Sequence, residues 1–333
     1  MATVLWQEDD ASLGAVETAL RAAASQPAGP DAKAPRPRAR ALTLITVSDG
    51  EDERRADAIA RLAVRHPLRA ILVARLPADG GPALSARIRR HVHPGHEGLS
   101  IADELDLRVR GELSRHLGQL LSPLLLPELP VIFLWLGAPP LRDPVFAELR
   151  RLCDRGVVDL HAAADLPGDL AAIEQPATLW EVTWVRQGPL REHVASLFDP
   201  PEHRGAAASV RSAEIVHGPE GRLNACLMGG WIASRLGLPA GAVAVRADGS
   251  ARRGVAEVVL LAGGRAVYGV RAADGGERVE IARPGADPER VRLQSLGAAE
   301  AVDRVLAGPE DPLWPPALQA AAAIAGRLSS GGN

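Results

Sequence analysis

The stretch SPLLLPELPVIFLWLG, residues 122–137, decides the fold. In it a leucine run broken by Pro123, Pro127 and Pro130 feeds into an unbroken apolar run, Val131–Leu136. A strand that is apolar at every position is covered on both faces, because alternation is expected only where one face meets water. Val131–Leu136 therefore reads as a central, usually parallel, strand of an α/β sheet. Residues 117–136 approach the ~20 residues that a transmembrane helix needs. The prolines exclude that reading, since each removes a backbone donor, and Glu128 would set a carboxylate near the bilayer centre. Glu8, Asp9 and Asp10 stand where a signal peptide would carry basic residues. A cytoplasmic protein without membrane contact is expected.

Working outward, composition narrows the chemistry. The chain has 333 residues and a formal net charge of −3. That length allows two domains, and that charge offers no basic surface for nucleic acid. Cys153 and Cys226 do not make a disulfide framework. Lys33 is the only lysine, and it sits in the linker-like run AGPDAKAPRPR. P-loop and Schiff-base chemistry both need an ordered lysine, so both are excluded. Tyr268 is the only tyrosine, and GxGxxG, GxSxG and HExxH are absent. No cofactor is expected.

The punctuation of the chain gives its organisation. A helix over 11–25 and a Pro/Arg linker over 26–38 make an N-terminal segment, 1–39. Strands over 41–47 and 69–76 flank a helix over 51–65, which Ser48-Asp49-Gly50-Glu51 would cap, in the order of a βαβ unit. Strands over 84–92 and 99–109, a helix over 112–126, the strand Val131–Leu136, a helix over 143–152 and a strand over 157–160 complete an α/β domain, 40–165. Its sheet is expected to be mixed or mostly parallel, with helices on both faces. An α+β domain over 166–330 follows, with helical patterns over 178–200 and 221–236. In it, runs over 242–245, 255–261, 266–272 and 278–282 are separated by Gly-rich turns and read as an antiparallel meander. Helices over 298–306 and 315–328 end it.

Several groups are candidates for chemistry. His91, His93 and His96 resemble the metal-binding loop of the metallo-β-lactamase superfamily, although Gly95 stands where that loop has an aspartate; the alternative is a solvated turn. Ser48, Asp49 and Gly50 lie where a sugar phosphate could meet a helix N-terminus at the end of a strand, and N-capping alone also explains them. Cys153 next to Asp154 disfavours a thiolate. Asp103 and Glu104 are adjacent on a strand, so their side chains point to opposite faces and do not form a catalytic pair. Trp180, Trp184, Arg186, Arg191, Trp231 and Arg235 combine the residue types enriched at interface hot spots. Core packing is the competing reading for each tryptophan.

The order of motifs resembles the OpcA family of glucose-6-phosphate dehydrogenase assembly proteins. The resemblance rests on Ala41-Leu42-Thr43-Leu44-Ile45, on His66-Pro67-Leu68-Arg69, on Arg108-Val109-Arg110-Gly111-Glu112 and on the opening stretch. It continues through Trp184-x-Arg186-x-x-Pro189-x-Arg191-Glu192 and Gly230-Trp231-Ile232-Ala233. Departures are Leu136 and Leu190, where the family carries tryptophan, and Ser100-Ile101-Ala102-Asp103-Glu104, where some relatives carry a cysteine. The resemblance implies a non-catalytic partner that binds glucose-6-phosphate dehydrogenase, favours its active oligomer and so activates it allosterically. The rival readings are a metal-dependent hydrolase and a sugar-phosphate sensor. Trp135 is expected to be structural.

Overall fold

A computed structural model of the chain describes residues 2–26, 41–51, 62, 66, 68–79, 81–95, 98–174, 179–249, 254–263, 266–308 and 310–330. Two compact units divide it, Met1–Asp159 and Leu160–Asn333.

The first unit is an α/β sheet of seven strands. They are β1 (Ala2–Asp9), β2 (Leu42–Asp49), β3 (Leu68–Leu76), β4 (Leu84–Gly95), β5 (Gly98–Arg110), β6 (Val131–Leu136) and β7 (Arg155–Val158), in the order β1-β4-β5-β3-β2-β6-β7. From β5 to β7 every neighbour is parallel, while β1 and β4 pair antiparallel, so the sheet is mixed. The all-apolar strand is interior: β6 lies between β2 and β7, and Val131 through Trp135 are buried. Pro130 lacks a donor but its carbonyl accepts from Thr43 N at 2.9 Å, which starts the ladder. Trp135 packs 5.9 Å from the Phe146 ring, as befits a structural residue.

Among the described residues the unit also holds helices α1 (Leu13–Ser25), α2 (Leu117–Leu121) and α3 (Pro144–Leu152). Asp143 caps α3 by accepting from Val145 N at 2.9 Å, as Ser12 caps α1. Two expectations need correction. The helix expected over 112–126 is broken into a 3-10 turn, the five-residue α2 and a second 3-10 turn: His116 leaves the helical region at φ −124°, ψ 45°, and Pro123 supplies no backbone donor to continue α2. The N-terminal segment also holds a strand that the sequence reading lacks, β1. The helix expected over 51–65 falls almost entirely outside the described residues.

The second unit holds a six-stranded sheet. Its strands are β9 (Val210–His217), β10 (Val243–Ala247), β11 (Val255–Ala262), β12 (Ala266–Ala273), β13 (Arg278–Ala282) and β14 (Glu289–Arg292), in the order β10-β9-β11-β12-β13-β14. From β11 to β13 it is the expected meander, which β14 extends by an antiparallel strand that the sequence reading lacks. The run over 242–245 does not belong to it: β10 pairs parallel to β9, because the helix α7 (Arg222–Leu236) crosses between them. Among the described residues this unit also holds a short strand, β8 (Leu179–Glu181), and helices α4 (Leu166–Glu174), α5 (Val182–Arg186), α6 (Gly188–Ala195), α8 (Ala298–Ala307) and α9 (Trp314–Ser330). Helix α7 is apolar on every side and is buried from Ala225 to Ala233. Gly230 lets it touch α9, where an added Cβ would meet Ala321 N at 2.6 Å.

Candidate functional site

In the second unit, α5 begins at Glu181, whose carboxylate accepts from Trp184 N at 2.9 Å and from Leu160 N at 3.3 Å. This capping turns the Trp184 ring inward, where it is fully buried. Its Nε1 donates to Asp311 Oδ2 at 3.0 Å, and the Trp314 ring lies 5.1 Å away. Arg191, one turn into α6, stacks its guanidinium 3.6 Å from the Trp184 ring centroid and donates to the Trp184 carbonyl at 2.6 Å. Burial pushes the Arg191 pKa down to about 10, against the opposing pull of Asp311 and Glu192. Trp314 Nε1 donates to the Leu179 carbonyl at 2.7 Å, so the cluster ties α5, α6 and α9 together.

Trp180 and Trp231 are buried as well. Arg186 and Arg235 are exposed, with Arg186 Nε donating to the Leu296 carbonyl at 2.9 Å. The six residues marked out by type therefore separate into an interior frame and two solvent-facing guanidinium groups. Asp311 and Trp314, which complete the frame, carry no signal in the sequence because they lie more than a hundred residues from Trp184.

In the first unit the register of β4 on β5 sets Arg90 opposite Asp103 and Arg89 opposite Glu104. The two carboxylates point to opposite faces, as their adjacency requires. On one face Arg90 Nε bonds Asp103 at 2.8 Å, while its other nitrogens donate to the carbonyls of Ala23 at 2.6 Å and Gln26 at 3.0 Å, closing the end of α1. On the other, Glu104 is bound by Arg89 and lies 2.7 Å from His91 Nε2. Burial raises the Glu104 pKa, but the His91 hydrogen bond and the charge of Arg89 outweigh it and the net shift is downward. His91 is thus engaged with a carboxylate. The side chain of His93 and all of His96 lie outside the described residues. Among the described residues no group of three His, Cys, Asp or Glu is placed to hold a metal ion.

At the carboxyl end of β2, Ser48 Oγ donates to the Gly50 carbonyl at 2.8 Å, and Gly50, at φ +87°, donates its N–H to the Arg75 carbonyl at 2.7 Å. Asp49 pairs with Arg75 at 3.2 Å, and Arg75 reaches Asp143 at 3.5 Å. The polar groups of the candidate ligand loop are engaged with their own strand ends. Burial, reinforced by Asp154, pushes the Cys153 thiol up to about 12, and burial pushes Cys226 up to about 12. Neither is a thiolate near neutral pH.

The chain is therefore a two-unit α/β and α+β protein whose tryptophans and charged pairs serve as internal joints. The family model described as the N-terminal domain of the glucose-6-phosphate dehydrogenase subunit matches residues 59–175, and the C-terminal domain model matches 178–314. The chain belongs to the OpcA glucose-6-phosphate dehydrogenase assembly family. It is 28% identical over 142 residues to a protein of Synechocystis sp. that carries the name OxPP cycle protein OpcA, a match covering 41% of this chain and 30% of that protein. A Synechococcus elongatus protein of the same name is 30% identical over 125 residues, 36% of this chain and 28% of its own length. The match spans less than a third of either relative. Among solved structures, glucose-6-phosphate 1-dehydrogenase from Mycobacterium avium is 12% identical with a TM-score of 0.47, covering 89% of this chain and 93% of that one. The 3-ketoreductase KijD10 from Actinomadura kijaniata is 12% identical, also at 0.47, covering 87% and 98%. Likenesses at that level assign no activity to this chain.

Proposed function

We propose that the chain is a non-catalytic assembly factor and allosteric activator of glucose-6-phosphate dehydrogenase in the oxidative pentose phosphate pathway, acting in the cytoplasm through protein contacts that favour the active oligomer. The observation that carries this reading is the succession of both family domains, in order, over 59–175 and 178–314. The raised thiol pKa values of Cys153 and Cys226 support a role other than thiol-nucleophile catalysis.

The contact is made by the exposed Arg186 and Arg235, while Trp180, Trp184, Arg191 and Trp231 hold the helices that present them. Activation requires preferential binding to the active state, because equal affinity for both states shifts nothing. A tenfold population shift needs about tenfold tighter binding, or about 1.4 kcal/mol. The test is capture of the dehydrogenase from the same organism, together with its rate at subsaturating substrate. Capture and a raised rate are expected for the parent chain, with at least tenfold weaker capture for Arg186→Glu combined with Arg235→Glu. Absence of both capture and rate change for the parent rejects the reading.

A further inference from the structure

One face of the six-stranded sheet is turned to solvent, and its residues form an ordered pattern. From β11 to β14 the registered neighbours Glu257, Arg271, Glu280 and Arg290 make a row of alternating charge. Within it Arg271 meets Glu257 at 2.7 Å and Arg290 meets Glu280 at 3.2 Å. The next row is flat, with Gly269 beside Ala282. Beyond it Leu261 and Val267, direct cross-strand partners, are 40% and 50% exposed. A Cβ added at Gly269 would meet no atom nearer than Val258 O at 3.7 Å and Ala282 Cβ at 3.9 Å, both in adjacent strands, so the face is open there.

We propose that this face is a self-association surface that takes a second copy of the chain by two-fold, face-to-face stacking of the sheets. The charge row carries the argument. A two-fold axis parallel to the strands, midway between β12 and β13, reverses the order of the row. Glu257 then opposes Arg290 of the partner subunit, and Arg271 opposes Glu280 of the partner subunit. Every acid meets a base, which an even-numbered alternating row guarantees under that axis and under no arbitrary placement. The flat Gly269 and Ala282 face each other across the axis, letting the sheets approach to the ~10 Å of aligned packing. The four strands that overlap about this axis, β11 to β14, at ~4.8 Å spacing and ~3.3 Å per residue give a footprint on the order of 400 Å², half of the about 800 Å² per partner of a standard complex. Association is therefore concentration-dependent and weakened by salt.

Sedimentation velocity of the full chain tests this. A two-copy species should grow with protein concentration and recede in high salt. Gly269→Trp, on an extended strand with free space above it, should weaken association at least tenfold while leaving the thermal midpoint in place. A chain with the row inverted (Glu257→Arg, Arg271→Glu, Glu280→Arg, Arg290→Glu) keeps alternation within the sheet and toward its own copy. It should self-associate but not co-assemble with tagged parent chain. The proposal is overturned by a parent that stays monomeric at every concentration, by a folded Gly269→Trp chain that associates like the parent, or by free mixing of inverted and parent chains. If Gly269→Trp does not fold, the mixing experiment decides. A monomeric parent that captures the dehydrogenase, with capture lost in Gly269→Trp, assigns the face to the enzyme instead. Arg186 and Arg235 are outside this face, so the two proposals fail separately.

Discussion

Glu104 shows how a single buried charge is made tolerable, and it yields a pH prediction. Its carboxylate is 1% exposed yet held below its ordinary pKa of 4.5 by His91 and Arg89. A depressed carboxylate pKa contributes stability that is present above the unfolded value and lost as pH falls through the folded one. Glu104→Gln should therefore destabilise the protein by about 1–3 kcal/mol at pH 7, below the about 3–5 of a fully buried pair because the Arg89 side chain is 24% exposed. Urea unfolding at pH 7 and pH 3 should show that gap narrowing on acidification; an unchanged gap contradicts the assignment. The sequence shows that Asp103 and Glu104 point apart, since a strand alternates with period two. Their partners Arg90, Arg89 and His91 depend on the β4–β5 register, which a single sequence leaves open. For Trp184 the residue types are legible, but burial reverses the role they suggest: a side chain that suits a hot spot also suits a core.

The elements most legible in the sequence are those whose pattern is self-contained. Val131–Leu136 needs no partner to be recognised as interior, and the Gly-rich turns announce the hairpins of β11 to β13. Strand β9 is missed because its polar positions, Arg211, Ser212 and Glu214, interrupt the apolar run, and β1 because its acidic end resembles a solvated tail. The charge row of Glu257, Arg271, Glu280 and Arg290 has no local signature in the sequence, because each member lies on a different strand. Reading it requires knowing which strands are neighbours. Helix contacts are set by glycines of contrasting kind. Gly14 in α1 has nothing within 4 Å, whereas a Cβ at Gly230 would press on Ala321 Cβ at 2.8 Å as well as on the α9 backbone. Gly→Ala in a helix gains up to about 1 kcal/mol from backbone entropy, while overpacking costs about 1–3 kcal/mol. Thermal denaturation should show Gly14→Ala slightly more stable than the parent and Gly230→Ala less stable; a stabilising Gly230→Ala would show that α7 and α9 do not pack this closely.

For the whole molecule, the two units differ in how their chains close. In the first, the long-range pairs β1–β4 and β2–β6 are made strand to strand within one sheet. In the second, α9 packs on α4 and α7, and the Trp314 indole is bonded to a carbonyl 135 positions earlier. Removing everything after Asp311 should therefore unfold the second unit, read as loss of near-ultraviolet signal from Trp184 and Trp231; retention of that signal would show that α9 is dispensable. Order of synthesis then matters. A ribosome delivers the N-terminal residues first, and long-range pairing is slow because the loop must close before its contacts form. While α9 is still in the exit tunnel, α4, α7 and the strands after them are already outside, with their apolar faces uncovered. The second unit thus spends much of its own synthesis exposed to wrong partners, and the late arrival of Trp314 ends that interval.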